Sequence, residues 1–441
     1  MSPKLRKLLA VVFLLTALLA VNSFYLGGVT LLGWATGEVY EDWFYLVNYL
    51  VHLLLGLLIV GPVVWFGIAH LRRTWSRKNR AAVRAGLGTF IAAITLIVTG
   101  VLLMRLEGVI VIRHPVVRDV AYWLHVASPF VAAWLFVLHR LAGKKIRWRV
   151  GARWAGAGVV LGGGLILLAG MSPRPSGHVG SGEEHFFPAL SRTSTGEHIP
   201  ARVLSNDRYC VECHPDIHAS WEKSAHRLAS FTNPAYLFSV REVRRVTLER
   251  DGSVRAARFC AGCHDPVPLF SGRFDDPEFD DVSDPTAHAG ITCTVCHAIT
   301  HVNTPVGNGD YTIEEPVHYP FALSSSPALR WLSQQLIKGK PAFHRKTFLK
   351  PLHKETGFCG TCHKVHLPEE LNHYRWLRGQ NHKDSFHLSG VSGFGVASFY
   401  YPERAEKNCN DCHMPLVPST DFAARVRDDS GVRKTMDHQY P

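Results

Sequence analysis

Ten cysteines fall into five copies of one pattern, C-x-x-C-H. The copies are Cys210-Val211-Glu212-Cys213-His214, Cys260-Ala261-Gly262-Cys263-His264, Cys293-Thr294-Val295-Cys296-His297, Cys359-Gly360-Thr361-Cys362-His363 and Cys409-Asn410-Asp411-Cys412-His413. They use every cysteine in the chain, leaving none for a disulfide, a zinc site or a free thiol. A lone C-x-x-C is also the pattern of a redox dithiol, and two can clasp zinc, but neither chemistry needs a histidine directly after the second cysteine. Covalent haem attachment does: the two thiols bond to the haem vinyl groups and the adjacent imidazole becomes an axial ligand of the iron. The pattern predicts five covalently bound haem c groups, held by the ten cysteines, with His214, His264, His297, His363 and His413 as iron ligands. Attachment of this kind is completed on the outer side of a bacterial inner membrane, which places the chain after about residue 172 in the periplasm or its equivalent.

The elements that carry these motifs differ sharply along the chain. Residues 1–171 hold 18 Lys+Arg against 5 Asp+Glu, and the remainder holds 30 against 31. The net charge of +12 therefore comes from the loops of an apolar first half and marks no nucleic-acid surface, which needs a basic face on a folded domain. The expected organisation is a five-helix transmembrane domain over 1–171, a Ser/Gly/Pro-rich linker over 172–209 and a periplasmic pentahaem domain over 210–441. The fold class is an all-α membrane bundle plus a mostly α and irregular multihaem domain.

Five apolar stretches, roughly 8–32, 45–71, 87–106, 120–141 and 154–171, each approach the ~20 residues that cross a bilayer as helix. The first follows Lys4, Arg6 and Lys7 and also reads as a signal peptide, but four more spans favour an uncleaved helix. Arg72–Arg84 and Lys144–Arg153 are rich in Lys and Arg with no acid, so the positive-inside rule puts both in the cytoplasm with the N-terminus. The loop with Glu38, Glu41 and Asp42 then faces outward. Gly158-x-x-x-Gly162 in the fifth span favours close helix packing.

Four histidines lie within the spans, and ionisable groups at membrane depth are functional candidates. His52 and His125 are near the outer ends of the second and fourth spans, and His70 and His139 near their inner ends. At ~100° per residue, each pair on one helix shares a face. Two such helices can clamp two b-type haems, between His52/His125 and His70/His139. The vertical separations differ, about 27 Å against about 21 Å, so the helices must tilt or hold the haems in different planes. The helix count and histidine placement resemble the dihaem cytochrome b anchors of oxidoreductases that exchange electrons with quinone. That resemblance implies quinone or quinol as a substrate bound beside one haem. Arg113 and His114 are neighbours to consider, although a solvated loop role suits them better.

After residue 210 only short helical stretches are expected, over 216–230 and 328–337, with the tail beyond Pro418 as a surface extension. At ~40 residues per haem, the haems themselves are expected to form the core. Fifteen histidines besides the motif five compete for the sixth iron positions. His214-Pro-Asp-Ile-His218-Ala-Ser-Trp221-Glu-Lys-Ser224-Ala-His226 resembles the multihaem group containing the tetrahaem carrier of ammonia oxidisers and hydroxylamine oxidoreductase, and this makes His226 a distal ligand candidate. The segments 372–381 and 399–415 resemble the same group. Local context adds His288, His301, His318 and His366, with His218, His353, His373, His382 and His387 in reserve.

The reading that joins these parts is a membrane-bound electron-transfer protein, linking the quinone pool through b haems to five c haems and on to a periplasmic carrier or partner redox enzyme. One alternative is a reductase or oxidase of a small nitrogen or sulfur compound, for which Arg375, Arg378 and Lys383 are unassigned cations. The other is a membrane-anchored carrier without b haem.

Overall fold

A computed structural model describes residues 2–104, 112, 114–142, 148–171, 179–372, 377–406 and 408–441. Arg113, His373 and Arg375, with the basic stretch 144–147, lie outside the described residues. The chain divides into two compact units, one of residues 1–175 and 317–343, the other of 176–316 and 344–441.

The first unit is built on five long helices: α1 (Pro3–Thr36), α2 (Trp43–Thr74), α3 (Arg80–Met104), α4 (Pro115–Leu141) and α5 (Trp148–Gly170). All five are long and apolar enough to cross a membrane, with Leu, Val, Phe and Trp side chains exposed along them. Their ends carry the expected signals. Asp42 caps α2 by accepting the Tyr45 N–H at 2.8 Å, and Gly37 closes α1 in the left-handed conformation, φ +80°. Arg72 and Arg73 sit in the last turn of α2, where cations suit the helix dipole. Lengthwise packing runs α3 on α4, α1 on α2 and α5, and α2 on α3. Gly162 takes the Phe24 ring, and a Cβ there would lie 2.5 Å from its Cδ1. This is the close approach that the glycine spacing of α5 favours.

Residues 317–343 also belong to this unit, although they follow three of the five motifs in sequence. Their helix Pro327–Gly339 packs on α3. Arg118 donates to the Gly339 carbonyl at 3.0 Å, and the Lys340 ammonium lies 3.9 Å from the Tyr45 ring centroid while reaching its hydroxyl. A domain drawn continuously from 210 onward must therefore be corrected, and His318 belongs with the membrane helices.

The second unit has a side-chain core of its own. Phe186, Ile199, Val203, Leu204, Phe231, Val240, Phe270, Phe274, Tyr311 and Ile313 are all buried in one cluster. Val295 of the third motif, Ala298 directly after it and Ala261 of the second motif join it. The expectation that haem replaces a side-chain core fails here, because residues 179–209 are not a linker. They supply Phe186, Ile199, Val203 and Leu204 to the core and the strand β1 (Arg192–Thr193). β1 runs parallel to β3 (Tyr311–Ile313), which pairs antiparallel with β2 (Ile299–Val302). The loop between β2 and β3 and the first residue of β3 tie two motifs together: Gly309 N–H donates to Thr361 O at 2.7 Å and Tyr311 Oη to Gly262 O at 2.8 Å. Gly307 in that loop has φ +91°, and a Cβ there would lie 1.9 Å from Lys364 O, so only glycine fits.

The helix expected over 216–230 is shorter, Pro215–Trp221, followed by turns. Its N-terminus is capped from far away in sequence, with the Asp421 carboxylate accepting Asp216 N–H at 2.8 Å and Ile217 N–H at 3.2 Å. The tail is no surface extension. Leu416–Pro418, Arg433–Met436 and Arg425–Val426 form a three-stranded sheet with Arg433–Met436 in the middle.

Candidate haem-binding centres

An imidazole nitrogen binds a metal at about 2.0–2.1 Å, with its ring centroid about 1.15 Å behind, so a metal held between two imidazoles sets their centroids about 6.3–6.5 Å apart. His52 and His125 have ring centroids 6.3 Å apart at 77°, and His70 and His139 6.1 Å apart at 80°. These are the two pairs expected from spacing. Pro62 lies between the histidines of α2 and Pro129 between those of α4. Each proline removes a backbone hydrogen bond and allows its helix to bend, which offers a way to meet the unequal 18- and 14-residue spacings.

A histidine that binds iron through Nε2 holds its ring by an Nδ1–H bond to an oxygen. His139 Nδ1 donates to Ala82 O at 2.8 Å. His125 Nδ1 lies 3.2 Å from both Leu96 O and the Thr99 hydroxyl. His52 Nδ1 is 3.1 Å from Asn22 Oδ1, and Asn22 is oriented in turn by donating to Asn48 O at 3.0 Å. His70 is held differently, stacked on Phe66 at 5.3 Å and 11°. Helix α3 backs two of the rings: a Cβ at Gly86 would lie 2.9 Å from His139 Nδ1, and one at Gly100 3.1 Å from His125 Cε1. His114 is exposed at the start of α4.

In the second unit sulfurs of different motifs lie side by side: Cys210 with Cys293, Cys263 with Cys362, and Cys359 with Cys409. The first motif thus touches the third, and the fourth touches both the second and the fifth. Three of the motif histidines show the same pinning by Nδ1: His264 to Ala229 O at 2.8 Å, His297 to Phe348 O at 2.6 Å, and His413 to Pro441 O at 2.9 Å. Tyr236 stacks on His264 at 4.3 Å, and its hydroxyl donates to Asp265. Burial raises the Asp265 carboxyl to about 7, against the opposing hydrogen bonds from Ser230 and Tyr236.

Three motif histidines have an opposing imidazole near the required spacing. His363 faces His226 at 6.0 Å and 88°, His214 faces His344 at 6.4 Å and 12°, and His297 faces His438 at 6.4 Å and 35°. His226 is locked by its carbonyl, which accepts Ile291 N–H at 2.9 Å, beside Gly290 at φ +62°. His382 also lies near His363, at a shorter 5.6 Å.

The other expected partners are placed elsewhere. His288 Nε2 donates to Val282 O at 2.9 Å, and His366 Nε2 accepts from the Asn308 amide at 3.2 Å, so each nitrogen that would reach an iron is engaged. His301 lies in β2 opposite Thr312, and among the described residues it makes no ring contact with a motif histidine. His318 belongs to the unit of the five helices, with its ring nitrogens buried there. Of the reserves, His218 faces Glu222 at 4.0 Å and Trp221, and His387 Nε2 lies 3.1 Å from the Thr356 hydroxyl. His344 and His438 were not among the sequence candidates. His344 has no motif neighbour in sequence, and His438 lies in a tail read as surface. The one cue was the aromatic company of each, Phe343 and Phe348 for the first and Tyr440 for the second.

Residues 209–298, which contain the first three motifs, match the family model of cytochrome c554 and c-prime. The C-terminal part carries a c-type cytochrome domain. Neither the curated proteins nor the solved structures yielded a match to this chain. The chain is accordingly an electron-transfer haem protein with covalently bound haem c, and its N-terminal region carries five apolar helices suited to spanning a membrane.

Proposed function

We propose that this chain is a quinol-linked electron-transfer protein of the bacterial inner membrane, with two b haems in the helical unit and five c haems in a periplasmic unit. The observation that carries the reading is the pair of matched imidazole sets on α2 and α4, at 6.3 and 6.1 Å, within a chain that also carries five haem c motifs. Haem iron, when bound, takes up and releases one electron at a time.

The chain's own residues hold and insulate the sites. His52/His125 and His70/His139 would be the axial pairs of the membrane unit. Asn22, Leu96 O, Thr99 and Ala82 O orient three of the four rings. In the other unit, His226 would complete the His363 site and His344 the His214 site. The neighbouring sulfurs support passage between the first and third motifs and among the second, fourth and fifth.

Orientation follows from two supports. The basic ends of α2 and α5 suit the cytoplasmic face. The segment 317–343, from the haem-bearing half of the sequence, docks where α1 ends and α2 begins, which suits an outward position for that end. Tyr49, Arg118 and Lys340 gather there, one to two turns beyond His52 and His125, and offer hydrogen-bonding groups to a quinol headgroup.

The test is the ratio of haem b to haem c in the detergent-purified protein, by pyridine haemochrome with acid-acetone extraction. Two to five is expected, followed by reduction of the c haems on adding quinol. Haem c alone would overturn the quinol link and leave the helices as an anchor.

A further inference from the structure

We propose that the C-terminal segment after residue 432 is a ligand strap, and that His438 supplies the second axial imidazole to the haem attached at Cys293 and Cys296. The inference rests on the reading that this haem takes two imidazoles.

Two histidines lie against His297. His353 is at 5.0 Å and 66°, and His438 at 6.4 Å and 35°. Only the second distance leaves room for an iron between the rings, since two metal–nitrogen bonds need about 6.3–6.5 Å between centroids. The hydrogen bonds select the same residue independently. Lys350 N–H donates to His353 Nδ1 at 3.1 Å, so that nitrogen holds a lone pair and the neutral ring carries its proton on Nε2. Nε2–H of His353 points at Cys296 O, 3.3 Å away, and has no lone pair for a metal. His438 has the opposite tautomer. Its Nδ1 lies 2.9 Å from Met436 O, an acceptor only, so Nδ1 carries the proton and Nε2 keeps its lone pair. His297 is set in the same way by Phe348 O.

The strap is anchored on both sides of His438. The Asp437 N–H donates to Pro415 O at 2.9 Å, next to the fifth motif. Ser220, on the helix after the first motif, accepts the His438 N–H at 2.8 Å and donates its hydroxyl to the Asp437 carboxylate. Beyond His438, the Tyr440 ring stands edge-on against His226 at 4.3 Å, and Pro441 O accepts from His413. One short segment thus touches the histidines of three sites, as ligand at one and as support at two.

The experiment is His438→Gly in the full-length chain, read by electron paramagnetic resonance and resonance Raman of the oxidised protein. The expected result is unchanged haem c content, a high-spin ferric signal worth one haem, and its return to low spin on adding imidazole. A wholly low-spin His438→Gly protein with full haem content, or the same high-spin signal from His353→Gly alone, overturns the assignment. A wild-type protein that already has one high-spin haem, unaffected by His438→Gly, overturns the two-imidazole reading together with the strap. If His438→Gly does not accumulate, His438→Met keeps a ligand in place and is expected to raise the potential of one haem in a redox titration. No such shift overturns the proposal.

Discussion

In the membrane unit each candidate ligand stands on a helix of 27 or 32 residues, its neighbours set by a fixed rise and turn. In the haem c unit each motif histidine ends or follows a helix of four to seven residues, and the facing imidazoles of His214, His297 and His363 arrive from more than a hundred residues away. The first arrangement is periodic, and loss of one histidine leaves the helix intact. The second is woven: the motif residues Val295 and Ala261, and Ala298 directly after the third motif, are also core residues, so site and fold stand or fall together. A long helix separates ligation from folding, whereas an irregular chain merges them.

The largest expected effect is in the woven unit. Replacing Cys293 and Cys296 together by serine removes the haem attachment on a helix packed into the core, and loss of folded protein is expected, seen as disappearance of the haem-stained band. His70→Ala makes the contrasting test. The helical bundle should persist with about half of its haem b and all of its haem c, by pyridine haemochrome; loss of the whole protein would erase the distinction between the units.

Gly290→Ala comes next. A Cβ there would lie 2.3 Å from Arg227 O and 2.7 Å from His226 O, at a backbone angle that alanine rarely adopts. Displacement of His226 is expected, with the His363 haem partly high-spin by resonance Raman. Gly86→Ala crowds His139 in the other unit, but at 2.9 Å from a side-chain atom, Nδ1, rather than from backbone, and in a helix without a positive φ. A cost of about 1–3 kcal/mol in thermal unfolding is expected, with haem b kept and its low-spin signal shifted.

The smallest effect concerns pH. Hydrogen bonds from Thr420 N–H and the Ser419 hydroxyl hold the Asp216 carboxyl below its usual value of 3.8. A carboxylate depressed on folding adds stability that is complete above 3.8 and is lost as the pH falls through the lower folded value. The tie between the tail and the Pro215–Trp221 helix should therefore weaken only in that acid window, and Asp216→Asn should abolish this part of the acid sensitivity in a melting series.

Much of the membrane unit was legible because helical geometry is local. Apolar runs of about 20 residues set five spans, and the 18- and 14-residue spacings put His52 with His70 and His125 with His139 on common faces. The second unit hid its partners for the opposite reason. His288 sits beside a motif in sequence, yet its Nε2 is spent on Val282 O, while His344 comes from a distant segment. Residues 179–209 looked like linker because glycine, serine, proline, threonine and glutamate recur through that stretch, but apolar residues among them, Phe186 and Leu204 included, are fully buried.

What the amino-acid sequence determined by itself is the chemistry written in adjacent residues and in helical periods: haem attachment at C-x-x-C-H, the apolar spans, and the registers of the membrane histidines. What only the tertiary structure decided is the company each of these keeps. That includes the return of 317–343 to the membrane helices, the packing of 179–209 into the core, and the meeting of His297 with His438. The physical reason is one of range. A covalent motif and a helical repeat are specified by neighbours a few residues apart, whereas the imidazole across an iron is chosen by loop closure, hydrogen-bonded tautomer and packing among residues that the linear order keeps far apart.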